Sequence, residues 1–375
     1  MELVNATRLV AGYTMGLEPS GRELLVVAVK GTFLLPAEAD GRVELHAEQV
    51  PLVLSDVFVG EPGLSAPKFE VDFAPRKQRC DLLLNGHAYA PGGQPTDRLT
   101  VGVRVGTWSK TFAVVGDRFW RTAGGVRATP PRPFVKMALS YDYAFGGVDL
   151  RHENPQQHGA FMANPAGRGY HRHLTKEWLE GTPLPNTEEV GSQVTQPDGV
   201  YRPMSFGIVG RHWESRSRFA GTYDQQWLDN VAPFLPADFD EQYYQAAPLD
   251  QQLPLPVGEQ RVSLVNLTPD GRRDFTLPHF EAPITVVPKT GPREELRASA
   301  DTILIEPDLD RVTMTWRVAR PLKKSMFEIA QVLVGRKGNE WWQQRQEFVF
   351  PIPLIVQPVP EADDVEADDN QEAAE

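Results

Sequence analysis

In the first and last thirds of this 375-residue chain, runs of strand-forming residues recur, some of them alternating hydrophobic and polar positions with the period of two that marks strands. Leu24-Leu25-Val26-Val27-Ala28-Val29, then Thr32-Phe33-Leu34-Leu35, is dense in strand formers, and Lys30-Gly31 is expected to interrupt it. Asp40-Gly41 reads as a turn before the alternating Val43-Glu44-Leu45-His46. Cys80 to Tyr89 is the next strand candidate, closed by Pro91-Gly92-Gly93, and Leu99 to Val105 and Lys110 to Val115 follow. Further on, Ile303 to Glu306 and Val312 to Val318 read as two strands around the turn Pro307-Asp308-Leu309-Asp310. One short helix is expected near Leu174 to Glu180. A second is expected at Ser325 to Arg336, where Ser325 could cap and Met326, Ile329, Ala330 and Leu333 recur at helical spacing.

These signals divide the chain. Residues 1–122 form an N-terminal β region, and residues 256–357 a C-terminal β region with one helix. Between them, residues 123–255 are rich in Pro, Gly and aromatic side chains and lack a regular period. A disordered linker would be poor in aromatics, so this stretch is expected to be an ordered, loop-rich region packed on the β core. The fold class that follows is mainly β: antiparallel sandwich- or barrel-like β regions flanking a long irregular region, with few short helices. Residues 358–375 form an acidic tail, with eight carboxylates and no basic residue from Glu361 to Glu375, and are expected to be disordered.

Composition narrows the function. The 33 prolines oppose long helical bundles. With 38 Lys and Arg against 50 Asp and Glu, the net charge of −12 opposes a bare phosphate-binding surface, so no direct nucleic-acid partner is expected. The single cysteine, Cys80, allows no internal disulfide and no Cys-based zinc site, and it reads as a small buried hydrophobe. Neither a signal-peptide h-region nor a stretch approaching a membrane span is apparent, which leads to the expectation of a cytoplasmic chain with no membrane contact.

Candidate chemistry is sparse. The motifs for phosphate loops, dinucleotide binding and Gly-x-Ser-x-Gly nucleophile elbows are missing from the sequence, so no cofactor is expected. His171 and His173 would share a face on a strand, but the flanking arginines oppose a metal ion. Asp238 and Asp240, with Asp224 near them, could serve a carbohydrate-active hydrolase or a sugar-binding β module. Carboxylates in such a Pro-rich stretch more often bind turn amides. Gly221-Thr222-Tyr223-Asp224 before Trp227 reads as a turn into a short helix capped by Thr222 or Asp224.

Several short motifs recur in a telling order. They include Val29-Lys30-Gly31-Thr32-Phe33, Asp72-Phe73-Ala74-Pro75-Arg76-Lys77, Gly86-His87-Ala88-Tyr89, Ala144-Phe145-Gly146-Gly147 and Glu153-Asn154-Pro155. Asn164-Pro165-Ala166-Gly167-Arg168-Gly169-Tyr170, Leu235-Pro236-Ala237-Asp238-Phe239-Asp240 and Ala247-Pro248-Leu249-Asp250 follow. From about residue 3 to residue 320 the chain resembles the bacterial family of unknown function numbered 2169. It departs from the pattern where Gln156 to Ala163 separates two motifs expected to be fused. The resemblance implies a cytoplasmic adaptor or chaperone without enzymatic activity. Its partners would be a toxic effector and the spike-tip protein of a type VI secretion apparatus, onto which the effector is loaded. Because Trp, Tyr and Arg dominate binding hot spots, the partner-binding candidates are Arg168, Tyr170, Trp213, Tyr223, Asp224 and Trp227.

Overall fold

A computed structural model describes residues 1–36, 41–255 and 257–346. It divides into two units, the second beginning at Lys337. In the second unit the described residues form the helix Asn339–Gln346. The acidic tail and Asp40 lie outside the described residues.

The first unit is β-rich and built on two sheets. The principal strands are β1 (Glu2–Asn5), β2 (Val10–Leu17), β3 (Glu23–Leu34), β4 (Cys80–Leu84), β5 (Arg98–Val105), β6 (Trp108–Val115), β7 (Arg261–Val265), β8 (Arg272–Thr276), β9 (Ala282–Pro288), β10 (Glu294–Glu306), β11 (Arg311–Pro321) and β12 (Ile329–Val334). The larger sheet runs β1-β12-β9-β10-β11-β3-β2 and is barrel-like and nearly closed. Strand β4 pairs in parallel with the second half of β10. The smaller sheet runs from Thr187–Glu188 through β6, β5, β7 and β8 to Gly41–Arg42. Each sheet therefore draws strands from both β regions of the sequence.

One hydrophobic cluster joins the sheets. Leu25, Val27, Val29 and Phe33 of β3, Ile303 and Ile305 of β10 and Met314 and Trp316 of β11 meet Val101, Phe112, Val262, Leu264 and Phe275 of the smaller sheet. Cys80 is buried in this cluster, and burial, with Asp301 and Asp81 close by, pushes its thiol well above the ordinary range.

The expected break at Lys30-Gly31 does not occur: β3 is continuous from Glu23 to Leu34. Lys30 points away from the hydrophobic core, on the face of β3 opposite Val29, and its ammonium donates to Asp72 at 2.9 Å. That face is lined by further buried charges. Lys77 pairs with Asp81 at 2.6 Å, and Arg317 of β11 pairs with Asp301 at 2.6 Å. Asp301 sits where the β10–β11 register shifts between Ala300 and Thr302, so the bulge turns its carboxylate toward Arg317. The segment that carries Asp72 and Lys77 thus lies over the outer face of the sheet.

The helix expected at Ser325 to Arg336 is a correction. Ser325 does cap a turn, Met326–Glu328, but Ile329 onward forms strand β12. The run Ile-Ala-Gln-Val-Leu-Val pairs with β9 on one side and β1 on the other, and Gly335 leaves it at a φ of 92°. Tertiary pairing outweighs the helical spacing. The helix expected near Leu174 is present as Lys176–Leu179, with Thr175 accepting from the Trp178 amide. The hairpin around Pro307 to Asp310 is also present, joining β10 to β11. No described helix is long and apolar enough to cross a membrane.

Candidate interaction surface

Two parts of the loop-rich region hold the sequence candidates, and they differ in character. In the first, Ala144-Phe145-Gly146-Gly147 meets Asn164 to Tyr170. Phe145 and Gly146 pair in parallel with Arg168 and Gly169. The approach is so close that a Cβ on Gly146 would stand 2.1 Å from the Asn164 carbonyl oxygen, and the φ of 147° at Gly146 also requires glycine. The Asn164 amide donates to the carbonyls of Tyr141 at 2.9 Å and Phe145 at 3.0 Å. Arg168 donates to the Asp142 carbonyl at 3.1 Å and to Asn186 at 3.3 Å, and lies 4.4 Å over the Tyr143 ring.

These motifs are therefore a backbone crossing, and Arg168 is committed to holding it. Tyr170 is half-buried beside Phe161, ring centres 6.0 Å apart. Trp213 is fully buried against Tyr141, ring centres 5.2 Å apart, and presents no surface to a partner. Of the hot-spot candidates, Arg168 and Trp213 thus serve the interior of this region, because a large side chain beside a dense loop crossing has a cavity to fill.

Nearby, Asp149 is buried. It accepts from Arg151 at 2.8 Å and from the amides of Arg172 and His173, at 3.0 and 3.2 Å. The Arg151 hydrogen bond, chiefly, holds its carboxyl well below the carboxylate range. His171 receives a 3.0 Å contact from Arg151, and burial together with that cation brings its pKa down to about 4. His173 contacts the Gln157 carbonyl instead. Among the described residues, no group of three or more His, Cys, Asp and Glu side chains is arranged to hold a metal ion.

The second part is an arm spanning residues 219–244. At its base Asp238 accepts from the Thr222 amide at 2.9 Å and its hydroxyl at 2.8 Å, and these bonds hold the Asp238 carboxyl below the ordinary range. Gly221 has a φ of 83°, and a Cβ there would meet Pro236 at 2.8 Å, so the two ends of the arm touch. Asp224 caps the helix α1 (Gln225–Asn230), accepting from the Trp227 amide at 2.8 Å. The Trp227 indole donates to the Phe234 carbonyl at 2.9 Å and packs edge-on to Tyr223, ring centres 4.7 Å apart. Asp240 caps the next turn by accepting from Gln242 at 2.8 Å.

Beneath the arm lies a charged network, and its surface carries exposed apolar side chains among polar ones. Arg216, buried beneath it, donates to the Tyr243 carbonyl, to the Val209 carbonyl and to Glu70. Arg211 bridges Asp56 and Glu70, each at 2.8 Å. Phe239, Tyr243 and Tyr244 form a half-buried ring cluster, and burial, helped by Glu241, pushes the Tyr244 phenol up to about 12. Yet Tyr223, Leu228 and Phe234 stay 53%, 57% and 44% exposed. Leu228 and Phe234 were not found from the sequence; the available signal was the pair Trp227-Leu228 in a short polar helix behind the Asp224 cap.

A cleft of about 500 Å³ opens elsewhere, lined by Val57, Phe69, His87, Tyr141, Glu306 and Asp308. Asp308 there is paired with His87 and accepts from the Tyr89 hydroxyl at 2.6 Å, which ties the β10–β11 turn to the strand Gly86–Tyr89.

The sequence matches a family described as an uncharacterized protein conserved in bacteria, domain of unknown function 2169, over residues 20–317. No curated protein and no solved structure matches the chain.

Proposed function

This chain belongs to that bacterial family, and we propose that it is a protein-binding adaptor whose partner docks on the arm formed by residues 219–244. The observation that carries the reading is the arm itself. Tyr223, Leu228 and Phe234 stand in solvent on a segment whose base is tied by Asp238, through Thr222, and by Arg216, through the Tyr243 carbonyl. Exposed aromatic and aliphatic side chains on a pre-ordered element give a protein interface its anchors at low entropic cost. In the adaptor reading the partners are a toxic effector and the spike-tip protein onto which it is loaded, and the chain works in the cytoplasm without turnover of its own.

The hydrolase alternative depended on Asp224, Asp238 and Asp240. Each of these accepts a backbone amide in a cap or turn, which is a structural occupation for the carboxylate. The test is co-expression with the products of the two adjacent genes, followed by size-exclusion chromatography. A stable complex that weakens when Tyr223 and Trp227 are replaced by alanine is the expected result. Failure of both neighbours to co-elute at micromolar concentration would remove the adaptor reading.

A further inference from the structure

We infer that the outer edge of β2 is a docking site for an extended segment of the partner protein, which joins the sheet as an added strand. The inference deepens the adaptor reading and rests on it for the existence of a partner. The mode of binding follows from other observations.

Strand β2 ends the larger sheet. Its eight residues pair with β3 from Val10↔Lys30 to Leu17↔Glu23. Among the described residues no backbone or side-chain group bonds to the backbone of β2 from its other side. Strand β1, at the other end of this nearly closed sheet, comes near β2 but forms its ladder with β12 and none with β2. In an antiparallel ladder only every second residue of an edge strand directs its N–H and C=O to the neighbour. The remaining amides and carbonyls of Val10–Leu17 thus face outward and recognise one kind of ligand fully, another extended backbone.

Side chains along this edge favour the same occupant. Tyr13 and Met15 stand opposite Val27 and Leu25 in register, and Leu25 and Val27 belong to the hydrophobic core. Directly opposed residues share a face, so Tyr13 and Met15 lie on the core-facing side of the sheet. They are nevertheless 38% and 51% exposed, since no further strand pairs with β2 on that side. An added strand with apolar side chains at alternate positions would cover both.

The edge is also continuous with the arm. The turn joining β2 to β3 contains Gly21, and a Cβ there would stand 3.2 Å from the Phe234 ring. A strand running along β2 toward that turn arrives at the arm. Residues 219–244 carry Asp224, Asp229, Asp238, Asp240 and Glu241 and no Lys or Arg, and Glu241 is paired with Arg76 while the aspartates lie on the arm itself. The partner segment that fits is therefore an alternating apolar strand with a basic residue at the end nearest the arm.

The test uses the full chain, alone and co-expressed with the products of the two adjacent genes. Residue-level amide hydrogen exchange is read over Val10–Leu17. Alternate amides should exchange rapidly in the free chain and at least tenfold more slowly in the complex. Met15→Lys should weaken the complex at least tenfold with an unchanged melting temperature. A complex whose formation leaves exchange in Val10–Leu17 unchanged overturns the strand proposal and keeps the adaptor. Alternate amides already protected in the free chain overturn it too, with a second copy identified if that protection rises with chain concentration. If neither neighbour binds, the adaptor reading falls and the strand proposal falls with it.

Discussion

Beneath the segment that covers the outer face of the long sheet, the side chains of Lys30, Asp72, Lys77, Asp81, Asp301 and Arg317 are buried in pairs. On the arm, by contrast, Tyr223, Leu228 and Phe234 stand in solvent. The two regions invert the usual placement of charged and apolar groups, and each inversion has a cost. Buried charges cost desolvation, which pairing offsets only when every partner is present. Exposed apolar groups cost hydration that only a partner relieves. The first region thus reports on how the loop-covered scaffold holds one arrangement, and the second on what the scaffold presents.

The contrast breaks most sharply at Arg317. Its guanidinium donates to both Asp301 oxygens, at 2.9 and 2.8 Å through Nε, and to the Asp72 carbonyl at 2.9 Å. Arg317→Ala leaves a buried carboxylate unpaired, and the expected loss is about 3–5 kcal/mol in chemical denaturation. The double variant Arg317→Met with Asp301→Leu should recover much of that loss, since it removes both charges. Equal destabilisation by the single and double variants would show that the network is held by the polar contacts and not by charge balance.

Why the two regions differed in legibility follows from distance along the chain. A helix cap at Thr222 or Asp224 needed only local neighbours to be expected, and Asp224 is the cap. The β10–β11 hairpin was equally local. Lys30 looked like an interruption because its partner Asp72 is 42 positions away, and Arg317 meets the Asp72 carbonyl across 245. The run Ile329–Val334 suits either period, and pairing with β1, at the far end of the chain, decided it. Burial of Trp213 had no local signature, since Trp213 and Trp227 both sit at the start of short helices.

That pair of tryptophans sharpens the comparison. Trp213 fills the interior beside Tyr141, so Trp213→Ala should cost about 3–5 kcal/mol and lower the melting temperature clearly. Trp227→Ala removes one indole hydrogen bond and an edge contact with Tyr223 on an exposed element, and its stability cost should stay near 1 kcal/mol. Its effect belongs in binding: a complex weakened by about 10- to 100-fold, or roughly 1.4–2.8 kcal/mol. Trp213→Ala with normal folding and abolished binding would move the interface off the arm.

The smallest effect expected is at Asp238, and it separates arm order from scaffold stability. Its carboxylate ties the base of the arm through the Thr222 amide and hydroxyl, and those bonds depress its pKa. A group with a depressed folded pKa stabilises above its unfolded value and loses that contribution as pH falls through the folded one. The arm should therefore hold from neutral pH down to about 4, the ordinary range of an aspartate, and loosen below it. Hydrogen exchange at the Thr222 amide, compared at pH 5 and pH 3, reads this directly. The wild type should lose protection on acidification beyond the intrinsic pH effect, whereas Asp238→Asn should show weaker protection at pH 5 and little further change. Global melting should shift little in either case, because the tie is solvent-exposed. A large drop in melting temperature for Asp238→Asn would instead show that the arm is part of the scaffold, and the separation of the two regions would fail.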